Sequence, residues 1–481
     1  MLQDNNGPAV KRAKPSERLQ CEYFMEKKKR RCGMTRSSQN LYCSEHLNLM
    51  KKAANSQVHN KNGSEAEKER ERVPCPLDPN HTVWADQLKK HLKKCNKTKL
   101  SHLNDDKPYY ESGYNGENGL LSSSVKIDIT AEHLVQSIEL LYKVFEGESM
   151  DELPLRQLNN KLMSLKRFPQ LPSNTKHAVQ QSSLIENLVD AGAFERPESL
   201  NFIEFGCGRA EFSRYVSLYL LTQLTNLPAE HSGSNPNEFV LIDRATNRMK
   251  FDKKIKDDFS EIKSNSPSKP ISCPSIKRIK IDIRDLKMDP ILKSTPGDDI
   301  QYVCISKHLC GVATDLTLRC IGNSSILHGD DNNGCNPKLK AICIAMCCRH
   351  VCDYGDYVNR SYVNRSYVTS LVEKYRAHGS ILTYETFFRV LTKLCSWGTC
   401  GRKPGTAITD VVNVVESFEG AEPYTITIKE RENIGLMARR VIDEGRLVYV
   451  KEKFTEFNAE LIRYVESDVS LENVAMLVYK K

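Results

Sequence analysis

The stretch NFIEFGCGRAEF, Asn201–Phe212, decides how this chain is read. The apolar residues Phe202, Ile203 and Phe205 run into Gly206-Cys207-Gly208, and a helix-compatible segment follows. Strand, glycine turn and helix start form a local pattern that lets backbone approach a nucleotide-like ligand. The same pattern also serves dinucleotides and plain tight turns. Here Ala210 replaces a possible third glycine, and Glu211 at the helix start would repel a pyrophosphate. That favours a nucleoside cofactor without phosphates, such as S-adenosylmethionine, with Glu204 placed to meet a hydroxyl or charge.

Working outward, EFVLID, IKRIKID, IQYVCIS and KAICIAMCC repeat the short apolar run after intervening helical or loop segments. Before them, Thr130 is placed to cap a helix through AEHLVQSIELLYKVFEG, and a second helix is expected through HAVQQSSLIENLVDAGA. This alternation predicts an α/β domain, a parallel sheet with helices on both faces. Asp243, Asp282 and Asp285 end the second and third strands, Asp243 facing the ribose hydroxyls and the other two the adenine amino group. Each acid alone is as readily a strand-end cap, and their succession is what favours a cofactor pocket. The polar stretches 228–238, 263–275 and 322–338 read as surface loops, and the tandem YVNRS at 357–366 as an insertion of no functional weight.

The fourth and fifth strands deliver Lys307-His308-Leu309-Cys310-Gly311 and Cys347-Cys348-Arg349-His350. Both lie at the carboxyl edge of a doubly wound sheet, where ligands bind. Burying such cations without partners is costly. Lys307, His308, Arg349 and His350 are therefore expected to face a polyanionic substrate or the reacting centre. Cys347 and Cys348, if extended, point to opposite faces and cannot share an ion; they read as core thiols.

The N-terminal quarter is different. Residues 1–110 hold 23 Lys+Arg against 13 Asp+Glu, and the remainder 47 against 48. A local basic excess favours a polyanion through counterion release; the plain alternative is a solvated or nuclear-targeting tail. Cys21, Cys32, Cys43 and His46 make one cluster, and Cys75, His81, His91 and Cys95 a second. Each offers four ligands for a closed tetrahedral zinc site, and segments so short and polar need metal to supply folding free energy. His91 and Cys95, four apart, suit one face of a helix. The organisation is then a basic lead-in (1–16), a first zinc module (17–50), a linker (51–72), a second module (73–98), a linker (99–125) and an α/β domain (126–481). With no long apolar span and no signal-peptide core, an intracellular protein, cytoplasmic or nuclear, is expected, its cysteines mostly thiols or zinc thiolates. No membrane or protein partner is indicated.

Taken together, the two clusters, EFGCGRAEFS, ISKHLCG, CCRH and LCSWGTCG (Leu394–Gly401) resemble the eukaryotic tRNA 2′-O-methyltransferases that act at position 4 of the acceptor stem. The resemblance covers nearly the whole chain. It implies a class I, Rossmann-like methyltransferase domain behind a CCCH and a CHHC zinc finger. It further implies two structural zinc ions, S-adenosylmethionine as methyl donor, and tRNAs for glycine, proline and histidine as substrates. A zinc-dependent RNA-binding adaptor with an inactive domain, or a methyltransferase acting on another RNA or on protein, are the alternatives.

Overall fold

The structure, a computed structural model, describes residues 19–25, 30–32, 34, 36–43, 46–47, 50, 72–95, 103–116, 127–145, 152–171, 175–228, 236–245, 249–292, 299–329, 336–361, 367–399 and 407–481. The chain divides into two compact units, Met1–Cys95 and Asn96–Lys481.

The larger unit is built on seven strands: β1 (Leu200–Phe205), β2 (Glu238–Asp243), β3 (Ser275–Lys280), β4 (Gln301–Cys310), β5 (Leu339–Cys347), β6 (Phe457–Arg463) and β7 (Val474–Lys480). Their spatial order is 3-2-1-4-5-7-6. The first five run parallel, and β7 enters antiparallel between β5 and β6. The order reverses between β1 and β4, which makes their carboxyl ends the ligand-binding crevice of a doubly wound sheet. The α/β expectation holds, and so does the Rossmann-like arrangement.

Alternation along each strand explains why both faces are covered. Ile203, Phe205, Val240 and Ile242 enter one core together with Leu316 and Tyr449. Their neighbours Phe202, Phe239 and Leu241 enter the other, against helices α1 (Lys176–Asp190) and α2 (Glu211–Asn226). Buried core of this extent, at roughly 25 cal/mol per Å² of apolar surface, is the main stabilising term. A third apolar cluster lies around the 26-residue helix α3 (Ile428–Lys453), which Thr427 and Glu430 start with a reciprocal capping box. Most of this helical part sits in the chain between β5 and β6, and the helix Ala131–Phe145 joins it from before β1.

Three local readings change. Residues 103–116, read as linker, clasp the loop after β3: Tyr110 bridges Leu286, and the buried Asn115 amide donates to the carbonyls of Ile283 and Leu286 at 2.7 Å each. The stretch 322–338, read as surface loop, folds Ser325–His328 into a short helix with Ile326 and Leu327 buried. The first YVNRS copy is core rather than tolerant surface: Tyr357 is fully buried and donates to the Ile442 carbonyl. The second copy, 362–366, lies outside the described residues. Among the described residues, no helix is long and apolar enough to cross a membrane.

Candidate functional site

The smaller unit carries the metal ligands. Ligand atoms of Cys21, Cys32, Cys43 and His46 all lie within 4.8 Å of one another. Two-residue strands, Phe24–Met25 and Arg30–Arg31, pair antiparallel between the first two cysteines. Tyr23 stacks on the His46 ring at 3.9 Å between centroids and fixes its tilt. The donor set and its convergence fit one tetrahedral zinc ion. In the second module Cys75, His91 and Cys95 converge likewise, with His91 Nε2 3.3 Å from Cys75 Sγ. The helix there ends at Leu92, so a turn rather than a shared helical face brings Cys95 in. His81 lies on the hairpin strand Asp78–Trp84, its side chain outside the described residues.

In the larger unit the loop after β1 holds three consecutive left-handed positions at alternate residues, Gly206, Gly208 and Ala210 (φ 64°, 50° and 62°). A Cβ at Gly206 would meet the Leu309 side chain at 3.2 Å and the His308 carbonyl at 3.5 Å. The glycine therefore lets this loop touch the end of β4. A Cβ at Gly208 would meet nothing within 4 Å, which leaves its face open to a ligand. Asp243 accepts from the Gly208 and Ala245 N–H groups, both at 2.7 Å, and orients the loop while keeping further lone pairs. Arg278, paired with Asp252, donates to the Gly208 carbonyl at 3.2 Å.

The other acids separate. Asp282 is partly exposed, 3.9 Å from the Arg244 guanidinium that follows β2, and caps the turn at Arg284. Asp285 turns away from the pocket: its carboxylate accepts from Gly113 N–H of the clasping segment at 2.8 Å. Glu204 is also corrected. It is buried beneath α2 and accepts from both the Ser213 hydroxyl and its N–H. Burial lifts its carboxyl to about 7, against the pull of the Ser213 hydrogen bonds. It anchors the helix start.

Lys307 and His308 sit in a β-bulge, where three steps on β4 oppose two on β5 between Ser306 and Leu309. Bulges re-aim side chains and concentrate beside active sites. Lys307 is buried, and its Nζ lies 3.0 Å from His308 Nε2 and 3.2 Å from His177 Nδ1. Both rings are exposed and lie edge to face at 6.0 Å. Among the described residues no carboxylate pairs with this amine, and burial lowers it to about 8; loss of solvation on the side facing Lys307, together with the charge of that amine, lowers His308 to about 4. His177, at the start of α1, was not legible in the sequence: a lone histidine in HAVQQ carries no motif.

Arg349 does not face substrate. Its fully buried guanidinium pairs with Asp443 at 2.7 Å and with Glu472, and donates to the Met346 carbonyl at 2.8 Å. Glu472 also accepts from Arg439, and Asp443 from Arg446, which pairs with Asp315 at 2.6 Å. The expected substrate contact is thus a structural hub tying β5 to α3, because its charge is matched by carboxylates distant in sequence. His350, next to it, is exposed at the same edge.

Comparison with known proteins bears on this geometry. A family model described as "Methyltransferase TRM13" matches residues 179–479, the CCCH zinc finger of TRM13 proteins matches 19–47, and a U11-48K-like CHHC zinc finger matches 72–96. The chain is 98% identical over its whole length to the "tRNA:m(4)X modification enzyme TRM13" of Saccharomyces cerevisiae, covering all of that protein. The same name is borne by relatives in Vanderwaltozyma polyspora (44% identical, 97% of this chain and 98% of the relative) and Schizosaccharomyces pombe (30%, 86% and 97%). The two Cys/His modules are zinc fingers, and the doubly wound sheet with its open glycine loop is a methyltransferase domain. Fold, fingers and full-length similarity agree: the chain belongs to the TRM13 methyltransferase family.

Proposed function

We propose that this protein is a tRNA methyltransferase that transfers a methyl group from S-adenosylmethionine to the ribose 2′-hydroxyl of nucleotide 4 in the acceptor stem of glycine, proline and histidine tRNAs. Family membership and the names of the relatives support tRNA methylation. The observation that carries the chemistry is Lys307, a buried amine held between two imidazoles where β4 meets the glycine loop.

The loop around Gly206 and Gly208, with Asp243 bonded to it and Asp282 beside Arg244 at the next strand ends, fits the nucleoside part of the cofactor. Bound there, S-adenosylmethionine supplies an electrophilic methyl on sulfonium. The ribose hydroxyl is a poor nucleophile and needs its proton removed. With its amine lowered to about 8, Lys307 is partly neutral near pH 7 and accepts that proton at Nζ. His177 and His308 fix Nζ, so the amine points at one place without needing reorganisation. Holding hydroxyl and methyl donor in line supplies much of the remaining rate. The fingers and the basic N-terminal quarter bind phosphates of the stem, a contribution that weakens as salt rises.

Single-turnover methyl transfer to unmodified glycine tRNA tests this reading, with the product ribose mapped by mass spectrometry. The rate should rise about tenfold per pH unit below pH 8 and level off above, because the working amine is the unprotonated form. Methyl groups appearing on a base, or at another nucleotide, would refute the assignment. An inactive adaptor would bind no S-adenosylmethionine in calorimetry.

A further inference from the structure

The thiols at the ends of β4 and β5 have no part in the reaction derived above. Cys310 and Cys347 are register partners on these parallel strands, and their Sγ atoms lie 3.3 Å apart. Cys348 is not extended. Its backbone is left-handed (φ 52°, ψ 46°), a conformation that costs a non-glycine residue roughly 1 kcal/mol or more. The turn brings its side chain round to the other two, so the expectation of opposite faces fails, and all three sulfurs lie within 4.8 Å of one another.

That clustering matches the spacing inside the fingers, where Cys75 Sγ and Cys95 Sγ stand 3.9 Å apart and Cys43 Sγ and His46 Nδ1 3.3 Å. Thiols are weak donors and acceptors, so hydrogen bonding among them gives little reason to gather three at one point. A disulfide would use two and leave the turn at Cys348 unexplained. Outer support is present as well. Glu472 accepts from Cys348 N–H at 3.1 Å and is itself held by Arg349 and Arg439, the kind of second layer that orients metal ligands.

We propose that Cys310, Cys347 and Cys348 form a third metal site, for zinc. Three thiolates hold the ion, with a fourth position left to water on the exposed Cys310 side. Binding releases the three thiol protons to solvent. The site joins the ends of β4 and β5, the strands that carry Lys307 and Arg349.

The test is metal content of the full chain, purified with a thiol reductant and without chelator, by inductively coupled plasma mass spectrometry. About three zinc ions per chain are expected, and about two in Cys310→Ser and in Cys348→Ser. Thermal melting and S-adenosylmethionine calorimetry on the variants check that the domain stays folded. Two ions in the unmodified protein would overturn the proposal without recourse to any variant. So would three ions that persist in folded Cys348→Ser. Loss of two titratable thiols on oxidation, with only two zinc ions before it, would mark a redox pair instead.

Discussion

Lys307 and Arg349 make an instructive pair. They stand at the ends of adjacent parallel strands, both are buried, and both sit in short Cys- and His-containing runs. Arg349 is surrounded by carboxylates, Asp443 and Glu472, so it stays charged and locks α3 and β7 to the sheet. Lys307 lies against two imidazole nitrogens with no ion pair among the described residues, so burial prevails and the amine drops to about 8. One buried cation becomes a structural hub, and the other is the base we propose. The difference lies in the partners, not in the residue or its depth.

Breaking the two sites should separate these roles. Lys307→Ala should lower single-turnover methyl transfer by about 10²–10⁴, with tRNA affinity and melting temperature close to those of the parent. Ordinary turnover in that variant would end the comparison at once. Arg349→Ala should act on folding instead, costing about 3 kcal/mol, because it takes a shared buried guanidinium from Asp443 and Glu472 and leaves them only Arg446 and Arg439. Chemical denaturation measures this, and Arg349→Lys should restore little, since a single ammonium cannot reproduce the planar fork between two carboxylates. An Arg349→Ala protein of normal stability would return that residue to the substrate.

Glu204 sharpens the same contrast from the acidic side. Its folded value near 7 lies above the ordinary 4.5, so the stability it allows is complete below about pH 4.5 and is lost as pH rises through 7. Glu204→Gln, which keeps an acceptor for Ser213, should remove that loss. Its stability relative to the parent should grow between pH 5 and pH 8, by on the order of 3 kcal/mol. A pH-independent difference would mean that the carboxyl ionises freely. Smallest, Asp243→Ala should weaken S-adenosylmethionine binding in calorimetry at least about tenfold, since hydrogen bonds to a charged group are worth roughly 1.5–3 kcal/mol each. Unchanged affinity would move the ribose contact elsewhere along the loop.

Much of the architecture was readable from local pattern. The apolar runs ending at Phe205, Asp243 and Cys347 are strands, and the turn at Gly206–Gly208 sits where the glycines required it. The clasping segment 103–116 was not readable, because Asn115 and Tyr110 bond to backbone groups about 170 residues away. Glu204 and Asp285 looked like Asp243 in sequence, each an acid near a strand end. Only the packing of α2 over one and of the Gly113 turn against the other shows that they serve the fold.

The sequence by itself determined the ligand sets of the two fingers, the alternation that builds the sheet, and the glycine loop. Each is a short-range consequence of residue type: soft ligands in a segment with no core, apolar spacing of two, a backbone position that a side chain would block. The tertiary structure alone decided which buried cation has carboxylate partners, which acids serve the fold, and how three thiols come together. Protonation and ligation follow from burial and from the charges nearby. The partners that set them, His177, Asp443 and Glu472, lie between 94 and 130 residues from the groups they act on.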